Sequence, residues 1–110
     1  MCGIVGIFSS NIVNKDRTAL ISPMLNTLRH RGPDGQSVWS NDVLSLGHAR
    51  LAVLDVSSNG KQPMTSHCGR YTITFNGEIY NFEDLRKTLD GIKWQGTSDT
   101  EVLLAAISEW

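Results

Sequence analysis

The chain has 110 residues, 40% hydrophobic and 19% charged, with ten basic and eleven acidic side chains and a formal net charge of −1. That length suits one domain of modest size, and the composition belongs to a globular protein, neither disordered nor membrane-embedded. The charge balance gives no electrostatic case for nucleic acid or an anionic membrane, and no apolar run is long enough to span a bilayer.

At the start, Met1-Cys2-Gly3 lacks the basic leader of a signal peptide, and Cys2 stands where a myristoylation pattern needs glycine. A methionine before a small residue is normally trimmed, so Cys2 is expected to become the first residue, with a thiol and a free α-amine together. Thiolates are strong nucleophiles with a free pKa of about 8.5, and an α-amine titrates at about 7.7–8.0, so one residue can offer both nucleophile and base. The alternative is a cysteine packed as a small hydrophobe in a first strand.

Residues 3–8 form an apolar run bounded by glycine and by Ser9-Ser10-Asn11, which predicts a strand buried on both faces. Residues 16–29 read as a helix: Ala19, Leu20, Met24, Leu25 and Leu28 recur at helical spacing, and Asp16 is a candidate cap. Pro23 leaves open a second, shorter helix starting after a Ser22 cap. Glycine and proline in Arg31-Gly32-Pro33-Asp34-Gly35 end the helix.

The pattern then turns to β. Val38-Trp39, Val43–His48 and Leu51–Asp55 read as short strands, and Ser57 to Pro63 as a loop. Tyr71 to Phe75 alternates at period two and stops at Asn76-Gly77, a dipeptide that favours positive φ and a tight turn. A helix is expected after Asn81, with Phe82, Leu85 and Leu89 on one face and Gly91 beyond it. Ser98-Asp99-Thr100-Glu101 has capping-box spacing and opens a last helix through Val102, Leu103, Ala106 and Ile107. That pattern reaches Glu109-Trp110 without a stop signal, so the chain is expected to be the front part of something larger.

Cys2 and Cys68 could form one disulfide, but a reducing cytoplasm with both thiols free is the better expectation. His30, His48 and His67 lack the paired spacing of zinc ligands, so no metal site is expected.

Five motifs carry the chemistry: Cys2-Gly3-Ile4-Val5-Gly6, Arg29-His30-Arg31-Gly32-Pro33-Asp34-Gly35, Gly47-His48-Ala49-Arg50-Leu51, Phe75-Asn76-Gly77-Glu78-Ile79-Tyr80-Asn81, and Ser98-Asp99-Thr100-Glu101. In this order, across the whole chain, they resemble the class II glutamine amidotransferases. The wording is most similar to the amidotransferase domain of glutamine-hydrolysing asparagine synthetases and asparagine synthetase-like proteins.

The resemblance implies an α+β fold of N-terminal-nucleophile type, a four-layer αββα sandwich, incomplete within residues 1–110. It implies glutamine as substrate, hydrolysed to glutamate and ammonia through a Cys2 thioester. Asn76 (side-chain amide) and Gly77 (backbone N–H) become the oxyanion donors, Arg50 the partner of the α-carboxylate, and Asp99 the partner of the α-ammonium, with Glu78 as a helper. Each has an alternative: a hairpin turn for Asn76-Gly77, a solvated strand-end side chain for Arg50, a helix-start carboxylate for Asp99. His48 is expected to pack or hydrogen-bond rather than catalyse, because the amine makes an imidazole base unnecessary.

No cofactor is implied for this segment. ATP and magnesium belong to a synthetase domain expected in the same polypeptide and absent here, which would join the ammonia to aspartate. The parent is expected to be cytoplasmic and homodimeric, with no nucleic-acid or membrane partner. The open alternatives are an amidotransferase that serves another acceptor and a non-catalytic remnant that binds glutamine or a protein. Alone, the 110-residue piece is expected to expose apolar strand faces and to be poorly stable or inactive.

Overall fold

Strand β1 (Gly3–Phe8) begins the chain and finds its partner forty residues on. In a computed structural model describing Met1–Trp110, it pairs antiparallel with β3 (Leu44–Arg50), whose other edge takes β2 (Gly35–Ser40). Side chains alternate across such a sheet, so register fixes what shares a face. Ile4 and Ser37 both lie opposite His48, and Gly6 and Trp39 both lie opposite Leu46.

Helix α1 (Asn14–Thr27) covers only one face, where Ile21 and Leu25 pack on Ala49 with Val5, Ile7, Leu28 and Val38 around them. The opposite face is open along β1, where Ile4 is 47% and Phe8 77% exposed, while His48 of β3 on that face is covered. β1 is thus buried on one face, not on both as its continuous apolar run suggested.

The buried stripe of α1 is Arg17-Ile21-Leu25, with Leu28 beside it, whereas Ala19, Leu20 and Met24 face solvent. Arg17 is fully buried because backbone carbonyls surround its guanidinium: Nη1 donates to Ser9 O at 3.0 Å and to Ile12 O, and Nη2 donates to Asn41 O. That side chain fastens the end of β1 to the β2–β3 turn. Val13 is the cap residue and makes no side-chain hydrogen bond, so Asp16 sits in the first turn and is not the cap. The helix also runs unbroken through Pro23. Pro23 is on the solvent side, where water can satisfy the carbonyl its missing N–H leaves free.

Gly32 turns the chain against the end of β3. A Cβ there would lie 2.2 Å from the Ala49 carbonyl, a backbone clash that only glycine avoids.

Leu51–Asp55 is not a strand. Its backbone groups are taken up locally: the Leu51 N–H donates to Cys2 Sγ, the Ala52 N–H to Asp34 Oδ2, and Arg50 Nη2 donates to the Asp55 carbonyl. With the ladder groups used, the segment folds as a loop that leaves Val53 and Leu54 exposed.

The second half builds a smaller unit. Strands β4 (Met64–Thr65) and β5 (Thr72–Ile73) pair antiparallel, a contraction of the longer strand expected over residues 71–75. Helices α2 (Phe82–Thr88) and α3 (Asp99–Glu109) pack through Leu89, Val102 and Ala106, with Phe82, Leu85, Ile92 and Trp94 against them. Ser98 caps α3 by accepting the Glu101 N–H at 3.2 Å. The reciprocal half of the box is not made: the Glu101 carboxylate instead accepts the N–H groups of Gln95 (2.7 Å) and Gly96 (2.9 Å). The result is a mixed α+β chain with two antiparallel sheets.

Candidate active site

The N-terminus, the end of β3, the loop after it, the segment after β5 and the start of α3 converge on one cleft of about 560 Å³. This is within the range of small-ligand sites, roughly 300–1,000 Å³. Cys2, Arg50, Asn76, Gly77, Glu78 and Asp99 all line it.

Cys2 stands just before β1, in line with Arg50 at the end of β3. Leu51 N–H donates to its Sγ at 3.3 Å, and the thiol points back to Leu51 O at 3.6 Å. Arg31 Nε donates to the Cys2 carbonyl at 3.2 Å, so the basic motif before β2 holds the backbone of the N-terminal segment. Met1 is 75% exposed and lines the same cleft.

Arg50 projects from the last position of β3. Nη1 donates to Ser57 O at 2.7 Å and Nη2 to Asp55 O. These bonds aim the guanidinium fork but supply no anion, and the chain's one ion pair is the surface pair Lys87–Asp84. Asp99, in the first turn of α3, is buried with 6% exposure. Its Oδ2 accepts the Ile79 N–H at 2.9 Å, and Thr100 Oγ1 approaches Oδ1 at 3.5 Å. No cation of the chain answers it. A buried carboxylate without a cation is costly, and the cleft therefore presents an unpaired anion and an unpaired cation to whatever enters.

Asn76 and Gly77 lie on the exposed rim, in irregular backbone beyond β5. Neither adopts positive φ, so the expected tight turn is absent. Glycine at position 77 serves the packing instead: a Cβ would lie 2.6 Å from the tip of the Phe75 ring, which would have to move from its place across it. Glu78 is exposed beside them and makes no ion pair.

His48 lies under the cleft with 1% exposure, and its Nδ1 is 2.9 Å from Thr74 Oγ1. Burial first, then the Arg50 charge, lowers its pKa from 6.5 to about 4, so the ring is neutral at physiological pH. Its Nε2 is buried without a partner.

Two residues outside the expected set hold the site together. The Asp55 carboxylate accepts from Ser57 Oγ (2.5 Å), Ser57 N–H (2.9 Å) and Thr97 N–H (2.9 Å), which joins the loop under Arg50 to the approach to α3. The Ser57 hydroxyl and the Thr97 amide lower its pKa to about 2. Asp55-Val56-Ser57 carries a local signal for this, since an aspartate bonding the N–H two residues on is a common turn device. Gln62, 7% exposed, bonds Phe75 and Thr100 through its side-chain amide, and nothing in its sequence neighbourhood announces that role. Both cysteines are free, no group of three His, Cys, Asp or Glu could hold a metal ion, and no helix is long and apolar enough to cross a membrane.

The family model for the glutamine amidotransferase domain matches residues 1–110. Among curated proteins, the chain is 47% identical over 116 residues to asparagine synthetase [glutamine-hydrolyzing] 3 of Bacillus subtilis (strain 168), covering 100% of this chain and 18% of that protein. It is 41% identical over 109 residues to asparagine synthetase [glutamine-hydrolyzing] 1 of the same organism, covering 96% of this chain and 17% of the relative. Against asparagine synthetase [glutamine-hydrolyzing] 1 of Arabidopsis thaliana it is 37% identical over 110 residues, covering 100% and 19%. The chain thus spans less than a fifth of the length of these curated relatives. With the match running from end to end, the chain belongs to the glutamine amidotransferase domain family.

Proposed function

We propose that residues 1–110 form the glutaminase part of a glutamine-hydrolysing asparagine synthetase. The observation that carries this reading is the charge pattern of the cleft: the Asp99 carboxylate and the Arg50 guanidinium both face it without a counter-charge from the chain. A free amino acid is the ligand that answers both at once, its α-ammonium going to Asp99 and its α-carboxylate to the Arg50 fork. Glu78, on the exposed rim, assists with the ammonium.

The Cys2 sulfur attacks the side-chain carbonyl carbon of the bound glutamine. Its own α-amine, freed by removal of Met1, takes the thiol proton. The carbonyl oxygen becomes an oxyanion that receives hydrogen bonds from the Asn76 side-chain amide and the Gly77 N–H. When the tetrahedral species collapses, the C–N bond breaks, the amine returns its proton, and ammonia leaves a γ-glutamyl thioester. Attack of water on that thioester gives glutamate and restores Cys2. Neutral His48 takes no part in the proton transfers.

In this proposal the ammonia passes to aspartate activated by ATP and magnesium in a synthetase domain of the same, cytoplasmic polypeptide, which assembles as a homodimer. The names of the relatives and their greater length support the synthetase part of this extension. The two sheets are the starts of the stacked sheets of a four-layer αββα sandwich. The apolar outer face of β1, with Ile4 and Phe8, is the surface such a stack would cover, and its exposure makes the 110-residue piece unstable alone.

The test is covalent labelling of the full-length polypeptide that carries residues 1–110, with a glutamine-like electrophile, alongside a glutaminase assay. The expected result is one adduct at Cys2, none at Cys68, protection by glutamine, and loss of ammonia release in step with labelling. Labelling without glutamine protection, or activity that persists after Cys2 is blocked, overturns the proposal.

A further inference from the structure

We infer that Gln62 is a positioning residue that couples the oxyanion arm of the cleft to its ammonium-binding arm. The inference rests on the glutaminase reading above and assigns within it a side chain that touches no substrate.

Gln62 is buried on the floor of the cleft, between three pieces of the fold. Its backbone carbonyl accepts the Ser37 hydroxyl of β2, which anchors it to the three-stranded sheet. Its side-chain Oε1 accepts the Phe75 N–H at 2.6 Å, and its Nε2 donates to Thr100 Oγ1 at 3.1 Å. Phe75 immediately precedes Asn76, and its ring packs on Gly77. Thr100 follows Asp99 and turns its hydroxyl toward Asp99 Oδ1 at 3.5 Å.

The directions of these bonds are forced. Phe75 N–H can only donate and the Gln62 amide nitrogen can only donate, so the Thr100 oxygen accepts and its proton goes to Asp99. One primary amide, with its oxygen on one arm and its nitrogen on the other, therefore sets the height of Asn76 and Gly77 and the orientation of the Asp99 carboxylate. The Asn76–Gly77 segment has no regular ladder to do this, since residues 74–79 lie outside strand and helix and β5 ends at Ile73. Asp99 and Thr100, by contrast, are fixed in the first turn of α3 and so give the amide a firm point of attachment. The Thr74 hydroxyl on His48 supports the same segment one residue earlier. A shift of about an ångström at such donors is enough to cost a large part of the rate.

The two halves of the amide separate in a substitution series on the full-length polypeptide. Gln62→Glu keeps the acceptor for Phe75 but removes the donor to Thr100, so the Thr100 hydroxyl turns away from Asp99. KM for glutamine should rise roughly ten-fold, with kcat within about three-fold of the parent. Thr100→Val should give the same split. Gln62→Met removes both bonds, and kcat should fall a further ten- to hundred-fold, approximately. All rates are expressed per Cys2 reactive toward iodoacetamide, a probe that needs neither arm, so loss of folded protein does not count as an effect. A spacer-only role would lower the number of reactive Cys2 sites and leave kcat and KM per site unchanged, and that result overturns the inference.

If the unsubstituted full-length polypeptide does not hydrolyse glutamine, it is the glutaminase reading that fails. Hydrogen exchange at the Phe75 amide then judges the link alone. Exchange faster in Gln62→Met but not in Gln62→Glu upholds the link, and equal exchange in both refutes it.

Discussion

The Asp55 carboxylate accepts the Thr97 N–H at 2.9 Å, and through it the loop that seats the Arg50 guanidinium is pinned to the segment leading into Asp99. The charge responsible is held low, at about 2 against an ordinary 3.8, by the Ser57 hydroxyl and then the Thr97 amide. A carboxylate depressed on folding contributes stability that is fully present above its unfolded pKa and is lost as pH falls through the folded value. The pin should therefore be intact above about pH 4 and fail as pH drops toward about 2. Asp55→Asn should lower the melting temperature at neutral pH and flatten its acid dependence in that window. It should also raise KM for glutamine, because the carbonyls that seat Arg50 lose their anchor. Melting curves across the acid range and steady-state kinetics at neutral pH check both.

Met1 decides whether Cys2 has a base. A retained methionine converts the Cys2 α-amine into an amide, which cannot accept the thiol proton, and its exposed side chain lies at the same cleft. Inserting a bulky residue between Met1 and Cys2, which blocks trimming, should lower glutaminase turnover roughly 10²–10⁴-fold, the usual contribution of a general base. Cys2→Ala should remove turnover altogether while leaving the melting temperature within a few degrees, since the sulfur makes only two weak contacts with Leu51. Mass spectrometry of the N-terminus beside the ammonia assay reads the first outcome, and calorimetry the second.

Asn76 and Asp99 line the same cleft yet should fail differently. Asn76 is asked for a hydrogen bond that matters only once the oxyanion forms, so Asn76→Ala should reduce kcat roughly 10²–10³-fold and leave KM nearly unchanged. Asp99 is asked to hold the α-ammonium from the first encounter, so Asp99→Asn should raise KM by about ten-fold or more, with the smaller change in kcat. Similar losses in kcat from both substitutions would deny the division of labour between the arms.

Chain order and residue type disclosed much of this arrangement. The apolar run after Cys2, the helix-period face of Phe82, Leu85 and Leu89, and the Ser98 cap are local patterns with local causes, and each forms the expected element. The six residues singled out for chemistry line one cleft although up to ninety-seven positions separate them. What stayed hidden depends on distant partners. Leu51–Asp55 has the branched side chains of a strand, but Cys2, Asp34 and Arg50 take its backbone groups first. Arg17 carries no sign in its own helix of the carbonyls that enclose it, Ser9 and Ile12 in the β1–α1 connection and Asn41 in the β2–β3 turn. Asn76-Gly77 carries the composition of a turn, yet neither residue takes positive φ and the Phe75 ring lies across the glycine. Gln62 has no local pattern at all, because its partners lie thirteen and thirty-eight residues away.

His48 should make the protein lose stability in mild acid, well before Asp55 does. Burial and the neighbouring Arg50 charge lower its pKa from 6.5 to about 4, so between those values the unfolded chain binds a proton that the native chain refuses. Stability is thus fully present above about pH 6.5, declines as pH falls toward 4, and shows no further loss from this group below that. His48→Gln removes the titrating ring while leaving a side chain that can still meet Thr74 Oγ1, so its melting temperature should be flat where that of the parent slopes. The same substitution separates proton transfer from support. A histidine acting as general base would take turnover down by orders of magnitude and remove an ionisation from the pH–rate profile. A neutral prop beneath Thr74 should leave the shape of that profile unchanged and cost only a few-fold in kcat, through the looser Thr74–Asn76 segment. A pH–rate profile of the variant, measured with the melting curves, tests both expectations in one protein.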